Sequence, residues 1–231
     1  MPYADTGGLA MYYELHGDGK PLVLILGLAA DISEYPFLVE ALSTGFRVLS
    51  FDNRGAGRTD KPDSPYSIEM MADDTVRLMD IVGIGRAHLV GVSMGGKIAL
   101  DIALRHRDRV SQLSLVSTQA SSRGRVHLSL PMRLAYPLRW LPRMRGRYPQ
   151  PRQAFRRQRA ASLRYDCTAR LPEISVPTLI LHGKKDRTAP FSQAELLQRL
   201  IPGARLVPFS GGHLFFLMAE RRRCLDVLLH A

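Results

Sequence analysis

The stretch Leu89-Val90-Gly91-Val92-Ser93-Met94-Gly95-Gly96-Lys97-Ile98 decides the fold. An apolar run from Ala87 to Val92 reads as a buried strand, and Lys97 to Leu104 is compatible with a helix. Between them, Gly91-Val92-Ser93-Met94-Gly95 fits the pattern G-x-S-x-G. A strand that turns into a helix over about two residues forces the central serine into a strained backbone conformation. Side chains two positions before and after it would collide, which explains glycine at both 91 and 95. Ser93 then projects its hydroxyl from the tip of the turn, with the Met94 N–H at a helix N-terminus facing the same space. An ordinary glycine-rich turn is the plainer reading. The strand before and the helix after favour a nucleophile.

Working outward, 231 residues suffice for one sizeable α/β domain with a small insertion, and 45% hydrophobic content is ordinary for a globular chain. No run approaches the roughly 18 apolar residues of a membrane span. Met1-Pro2-Tyr3-Ala4-Asp5 has neither a basic nor an apolar leader region, and Cys167 and Cys224 stand far apart in no metal-ligand spacing. The expectation is a reduced, cytoplasmic protein without stable membrane insertion, metal or cofactor. The formal charge of +11 is unevenly placed: between Gln119 and Arg170 there are thirteen arginines and one acid, Asp166. The basicity therefore belongs to that segment, and the rest of the chain is close to neutral.

Pro2 to Asp5 and Leu9 to His16 read as strands joined by a turn at Thr6-Gly7-Gly8. Strands follow at Pro21–Leu26, Phe46–Phe51, Ala87–Val92, Val110–Val116, Pro177–Leu181 and Arg205–Phe209. Helices are expected at Tyr35–Leu42, at Ser67–Val82 with Ser67 as N-cap, at Phe191–Leu200, and as one piece at Leu214–Leu229. Such alternation implies a mostly parallel eight-stranded sheet flanked by helices, with residues 1–118 and 171–231 as core. Residues 119–170, with Pro131, Pro137, Pro142, Pro149 and Pro151 between weak helical pieces, read as a cap inserted after the sixth strand. Leu128, Leu130, Leu134, Leu138, Trp140 and Leu141 would form its apolar underside.

A serine hydroxyl is a poor nucleophile at neutral pH and needs a base held by a third group. Parallel sheets present such groups at the C-terminal ends of their strands. Asp186 follows the strand ending at Leu181, in His182-Gly183-Lys184-Lys185-Asp186, and His213 follows the strand ending at Phe209, in Ser210-Gly211-Gly212-His213. The order Ser93…Asp186…His213 is the one that accompanies the G-x-S-x-G turn. The competitors are His182 as base, and Asp52 or Asp166 as acid. Asp52 sits in a glycine-rich loop where an aspartate commonly bonds local backbone, and Asp166 lies near the junction of insertion and core. Arg54 and Lys97 read as ordinary ion-pair or surface residues.

At these residues the chain resembles the α/β-hydrolase fold family, in particular its small esterase and lactonase-like members. The resemblance rests on Gly91–Gly96, on Asp52–Pro62 (similar to D-x-R-G-x-G-x-S-x-x-P), on His182-Gly183…Asp186 and on Gly212-His213. It departs at Leu26-Gly27-Leu28, where the family has His-Gly before a small or apolar residue. The resemblance implies a cofactor-independent serine hydrolase acting on a small or medium carboxylic ester or lactone. Ser93 would be the nucleophile, His213 the base, Asp186 its partner, and the N–H groups of Leu28 and Met94 the oxyanion hole. The rivals are perhydrolase chemistry on the same three residues, and a non-catalytic scaffold that binds anionic ligands through the arginine-rich segment. Scattered aromatics and no groove-reading motif argue against a nucleic-acid partner.

Overall fold

A computed structural model of the chain describes residues 2–122 and 147–230. Eight strands form one sheet in the order β1-β2-β4-β3-β5-β6-β7-β8. They are β1 (Tyr3–Asp5), β2 (Ala10–His16), β3 (Lys20–Ile25), β4 (Phe46–Phe51), β5 (Ala87–Val92), β6 (Val110–Val116), β7 (Thr178–Gly183) and β8 (Arg205–Phe209). β1 and β2 run antiparallel to their neighbours, and every other pairing is parallel.

The central strands are continuous apolar runs because both faces are covered. Val23, Ile25, Leu49, Phe51, Leu89, Leu113, Leu115 and Ile180 pack on one side with α2 (Ile68–Ile81), α3 (Met94–Arg105) and α5 (Phe191–Leu200). Leu22, Leu24, Val48, Val90, Val92, Val116, Leu179 and Leu181 pack on the other with α1 (Pro36–Ser43) and α6 (Arg221–Leu229). Register then fixes the site. Ile25 is paired with Gly91, Val92 with Val116, Val116 with Leu181, and Gly183 with Phe209. The residues after each of these strands therefore leave the sheet at one edge.

Several boundaries differ from the sequence expectation for identifiable reasons. Ser67 does cap α2, its hydroxyl accepting the Met70 N–H at 3.1 Å. α3 begins at Met94, three residues before the expected Lys97, because Gly95 and Gly96 are helical despite their poor propensity. The single helix expected over Leu214–Leu229 is broken into a short 3₁₀ turn at Phe215–Leu217 and α6. Phe215 and Phe216 are both buried, Phe215 stacks on Phe209 at 4.3 Å, and Met218 is extended (φ −111°, ψ −146°).

The chain between β6 and β7 also holds more regular structure than its prolines suggested. Its described part contains α4 (Arg152–Arg164), a 13-residue helix that buries Ala154, Phe155, Gln158 and Ala161. The prolines at 131, 137 and 142 and the expected apolar underside at 128–141 lie outside the described residues. Two points of the chain between β6 and β7, Ser122 and α4, are pinned to α3 by Lys97, which is buried where a surface residue was expected. Its ammonium donates to Ser122 Oγ at 2.5 Å and to the Ser162 carbonyl at 2.6 Å. Burial lowers the Lys97 pKa from 10.5 to about 8, against the opposing pull of Cys167 and Asp166. A base whose pKa falls on folding binds fewer protons in the native than in the unfolded state between those values, so stability rises with pH across that window. The unfolding free energy of the parent should climb relative to that of Lys97→Met between about pH 8 and 10.5. Urea titrations of both proteins across that range measure it, and parallel curves would refute the burial argument.

Candidate active site

The turn after β5 is as tight as its sequence demands. Ser93 sits at φ 55° and ψ −115°, in the left-handed region that costs a non-glycine residue of order 1–3 kcal/mol. The turn is held by the Ser93 N–H on the Val116 carbonyl (2.9 Å) and by Thr118 Oγ1 donating to the Ser93 carbonyl (2.6 Å). A Cβ at position 91 would lie 2.6 Å from the Gly95 carbonyl oxygen, and one at position 95 would fall on the Ile25 carbonyl of β3. Both glycines are therefore required by backbone proximity. Met94 opens α3, so its N–H is among those a helix cannot satisfy internally.

His213 reaches this serine from the loop after β8, with Nε2 3.0 Å from Ser93 Oγ. Its Nδ1 is 2.7 Å from Asp186 Oδ2. Asp186 is an acceptor, so Nδ1 carries the proton and Nε2 is left free to accept from the hydroxyl. The His213 loop has two further supports. Ser117 Oγ donates to the His213 carbonyl at 2.8 Å, and Glu220 accepts the N–H groups of Ser210 and Gly211 at 3.1 and 2.8 Å.

The Asp186 side chain has no exposure. Burial alone would raise its pKa. Hydrogen bonds from His182, His213 and the Ala189 N–H outweigh that and hold the carboxyl well below the usual carboxylate range. Its second oxygen accepts the Thr188 and Ala189 N–H groups at 2.8 and 2.9 Å. A charge fully removed from water persists only with such partners.

None of the competing candidates has a hydrogen bond to Ser93 among those described. His182 is buried, with Nε2 2.8 Å from the Ala189 carbonyl and 3.3 Å from Asp186 Oδ2, on the same carboxylate oxygen that His213 uses. Asp52 is buried and accepts the N–H groups of Ile32 and Arg58 (2.9 and 2.8 Å), a loop-organising role. Asp166 accepts the Thr168 N–H and lies opposite Ser121 in an isolated antiparallel bridge. Arg54 forms a two-pronged ion pair with Asp74, both contacts at 2.7 Å.

The loop after β3 passes directly beside the serine: a Cβ on Gly27 would stand 3.2 Å from Ser93 Cβ. Sequence reasoning missed the groups that brace this edge, namely Asn53, Ser117, Thr118, Glu220 and Gln158. The Ser117-Thr118 pair had a usable signal, two hydroxyl residues at the end of a parallel strand. Gln158, inside an arginine-rich segment, had none. Among the described residues no cluster of histidine, cysteine, aspartate or glutamate suits a metal ion, and no helix is long and apolar enough to cross a membrane.

The family model of the alpha/beta hydrolase fold matches residues 20–166. The chain belongs to the α/β-hydrolase fold family. It is 30% identical over 245 aligned positions to the putative carbamate hydrolase RutD of Azorhizobium caulinodans, covering 93% of this chain and 92% of that one. Among solved structures it superimposes on the enol-lactonase of Burkholderia xenovorans LB400 with a TM-score of 0.84 at 28% identity, covering 99% and 98% of the two chains. An esterase of Exiguobacterium antarcticum gives 0.84 at 28% identity, covering 96% and 95%. Within this fold the approach of α3 to β3 is testable by one methyl group. Gly95→Ala should cost about 1–3 kcal/mol by forcing that group against β3, with a matching loss of urea midpoint. An unchanged midpoint would contradict the packing of α3 on that strand.

Proposed function

We propose that the protein is a cofactor-independent serine hydrolase that cleaves a small or medium carboxylic ester or lactone through an acyl-enzyme. One observation carries this reading: a single imidazole lies within hydrogen-bonding distance of both the strained Ser93 hydroxyl and the buried Asp186 carboxylate. In this mechanism His213 takes the proton of Ser93 Oγ as the oxygen attacks the carbonyl carbon. Asp186 fixes the imidazole tautomer and stabilises the imidazolium without itself taking a proton. The N–H groups of Met94 and Leu28 receive the oxyanion, each supplying about 3–4 kcal/mol of transition-state stabilisation. Protonated His213 then hands its proton to the leaving oxygen. Water, deprotonated by the same imidazole, releases the acid and restores the serine.

Residues 1–118 and 171–231 carry these groups in this reading, and 119–170 form a cap that shapes the acyl pocket. The enol-lactone and ester chemistries for which the structural neighbours are named, and the carbamate chemistry named for the curated relatives, all present an sp² acyl carbonyl to the nucleophile. Such substrates belong on one panel. Two free, buried cysteines suit the cytoplasm, to which we assign the protein.

A fluorophosphonate probe should label the parent at Ser93, and Ser93→Ala should abolish both labelling and turnover of a p-nitrophenyl short-chain ester while the protein stays folded. Asp186→Asn should lower kcat by about 10⁴-fold, since it leaves the imidazole in the wrong tautomer. Turnover retained in Ser93→Ala, or a larger loss in Asp166→Asn than in Asp186→Asn, would overturn the assignment. The remaining substrate question is settled by rates across esters, lactones and carbamates.

A further inference from the structure

The loop between β3 and α1 carries Leu28, whose N–H is the second oxyanion donor in the proposed mechanism; the inference about this loop rests on that mechanism. Leu28 is bracketed by two amide side chains that come from different parts of the chain. On one side Asn53 Nδ2 donates to the Leu26 carbonyl at 2.9 Å. On the other, the Ala29 N–H donates to Gln158 Oε1 at 3.0 Å, across 129 residues. Ala29 stands at φ 62°, a conformation an alanine keeps only where its surroundings impose it.

Gln158 belongs to α4 of the insertion and has no solvent exposure. Its oxygen also accepts Gln150 Nε2 at 2.9 Å, and its nitrogen donates to the Arg54 carbonyl at 2.7 Å. The orientation of this amide is dictated by chemistry. The Ala29 N–H can only donate and the Arg54 carbonyl can only accept, so oxygen and nitrogen are not interchangeable. A side chain in the midst of arginines thus makes three hydrogen bonds that use both its oxygen and its nitrogen. It ties together the loop that bears Leu28, the loop after β4 and the residues that lead into α4.

We propose that Gln158 is a positioning residue for the oxyanion hole: it holds the Ala29 peptide in place from the insertion, and thereby fixes the neighbouring peptide that bears the Leu28 N–H. Only the φ and ψ of Leu28 separate the two peptide planes, so anchoring one restricts the other. The insertion is then part of the catalytic architecture as well as a cover. Removing the Gln158 acceptor lets Ala29 relax out of the left-handed region and carries the Leu28 N–H away from the developing oxyanion. A displacement on the order of 1 Å is enough to cost up to about 100-fold in rate.

The test compares Gln158→Met, which keeps the length and loses the hydrogen bonds, with Arg157→Gln. The latter cuts the contacts of α4 with the Pro62 carbonyl and Asp63 and leaves Ala29 untouched. Active sites are titrated with a fluorophosphonate. Then kcat and KM for a p-nitrophenyl ester, and the affinity of a trifluoromethyl ketone that forms a tetrahedral oxyanion on the serine, are measured per titrated site. Gln158→Met should lower kcat and the ketone affinity in parallel, by about 10–100-fold, with KM within about twofold. Arg157→Gln should change neither by more than about threefold. In the parent, hydrogen exchange at the Ala29 amide should be slow, a measurement that needs no variant. Parent-like ketone affinity in Gln158→Met, an equal loss in Arg157→Gln, or fast exchange at Ala29 each overturns the proposal. A parent that neither titrates nor binds the ketone removes the nucleophile assignment, and this inference falls with it. A parent that does both while Gln158→Met matches it removes this inference alone.

Discussion

The site depends on one steric constraint, the passage from β5 into α3 across a single residue. A strand and a helix can follow one another this closely only if the residue between them adopts a left-handed backbone and the chain on either side comes within backbone-contact distance of itself. The constraint is local, but what satisfies it is not. Ser93 stays at φ 55° because the last residue of β6, Val116, holds its N–H and Thr118, two residues further on, holds its carbonyl. Gly95 must be bare because the β3 carbonyl of Ile25 lies against it. Three parallel strands thus impose one strained residue, and the strain exposes its hydroxyl at the sheet edge.

The same edge handles a second problem, a carboxylate taken wholly out of water. Asp186 accepts two backbone N–H groups on one oxygen, and on the other it meets His213 and His182. The backbone bonds fix the carboxylate plane, which leaves the imidazole of His213 little choice of direction. Ser117 fastens the carbonyl of His213 to the end of β6, next to the Thr118 that fastens Ser93. Two consecutive hydroxyl residues therefore hold the backbones of Ser93 and His213 at one spacing, although 120 residues separate them.

Much of this was legible in the sequence, and the limits of legibility have physical causes. G-x-S-x-G, the strand ends before Asp186 and His213, and the continuous apolar runs are local patterns, so they announced the fold, the sheet and the three facing side chains. What stayed hidden depends on contacts distant in sequence. Lys97 looks like a surface lysine on a helix; only the arrival of Ser122 and Ser162 over it makes it a buried tether. The break in the helix expected over Leu214–Leu229 depends on how Phe215 finds Phe209 and how Glu220 folds back to Ser210 and Gly211. α4 was obscured by composition. Its average is strongly polar, so few apolar residues mark it, yet Ala154, Phe155, Gln158 and Ala161 recur at the spacing of one buried face.

That face also bears on the charge of the arginine-rich segment 119–170. If arginine attraction to the core seated this segment, its guanidinium groups would point inward at acids. Among the described residues of α4, Arg157 pairs with Asp63, whereas Arg156 and Arg159 are exposed, and the buried positions are alanine, phenylalanine and a neutral amide. Guanidinium groups keep most of their hydration in that arrangement, and burying them without partners would cost several kcal/mol each. Apart from the Arg157–Asp63 pair, the described seat of α4 is built from apolar contact and directed hydrogen bonds, both weakly sensitive to salt, while the exposed charge is screened over about a Debye length. Seating and charge are separable properties of the same helix. The contact with the loop beside Ser93 belongs to the first of them, through Gln158 and the Ala29 N–H, while the exposed Arg156 and Arg159 make no part of it.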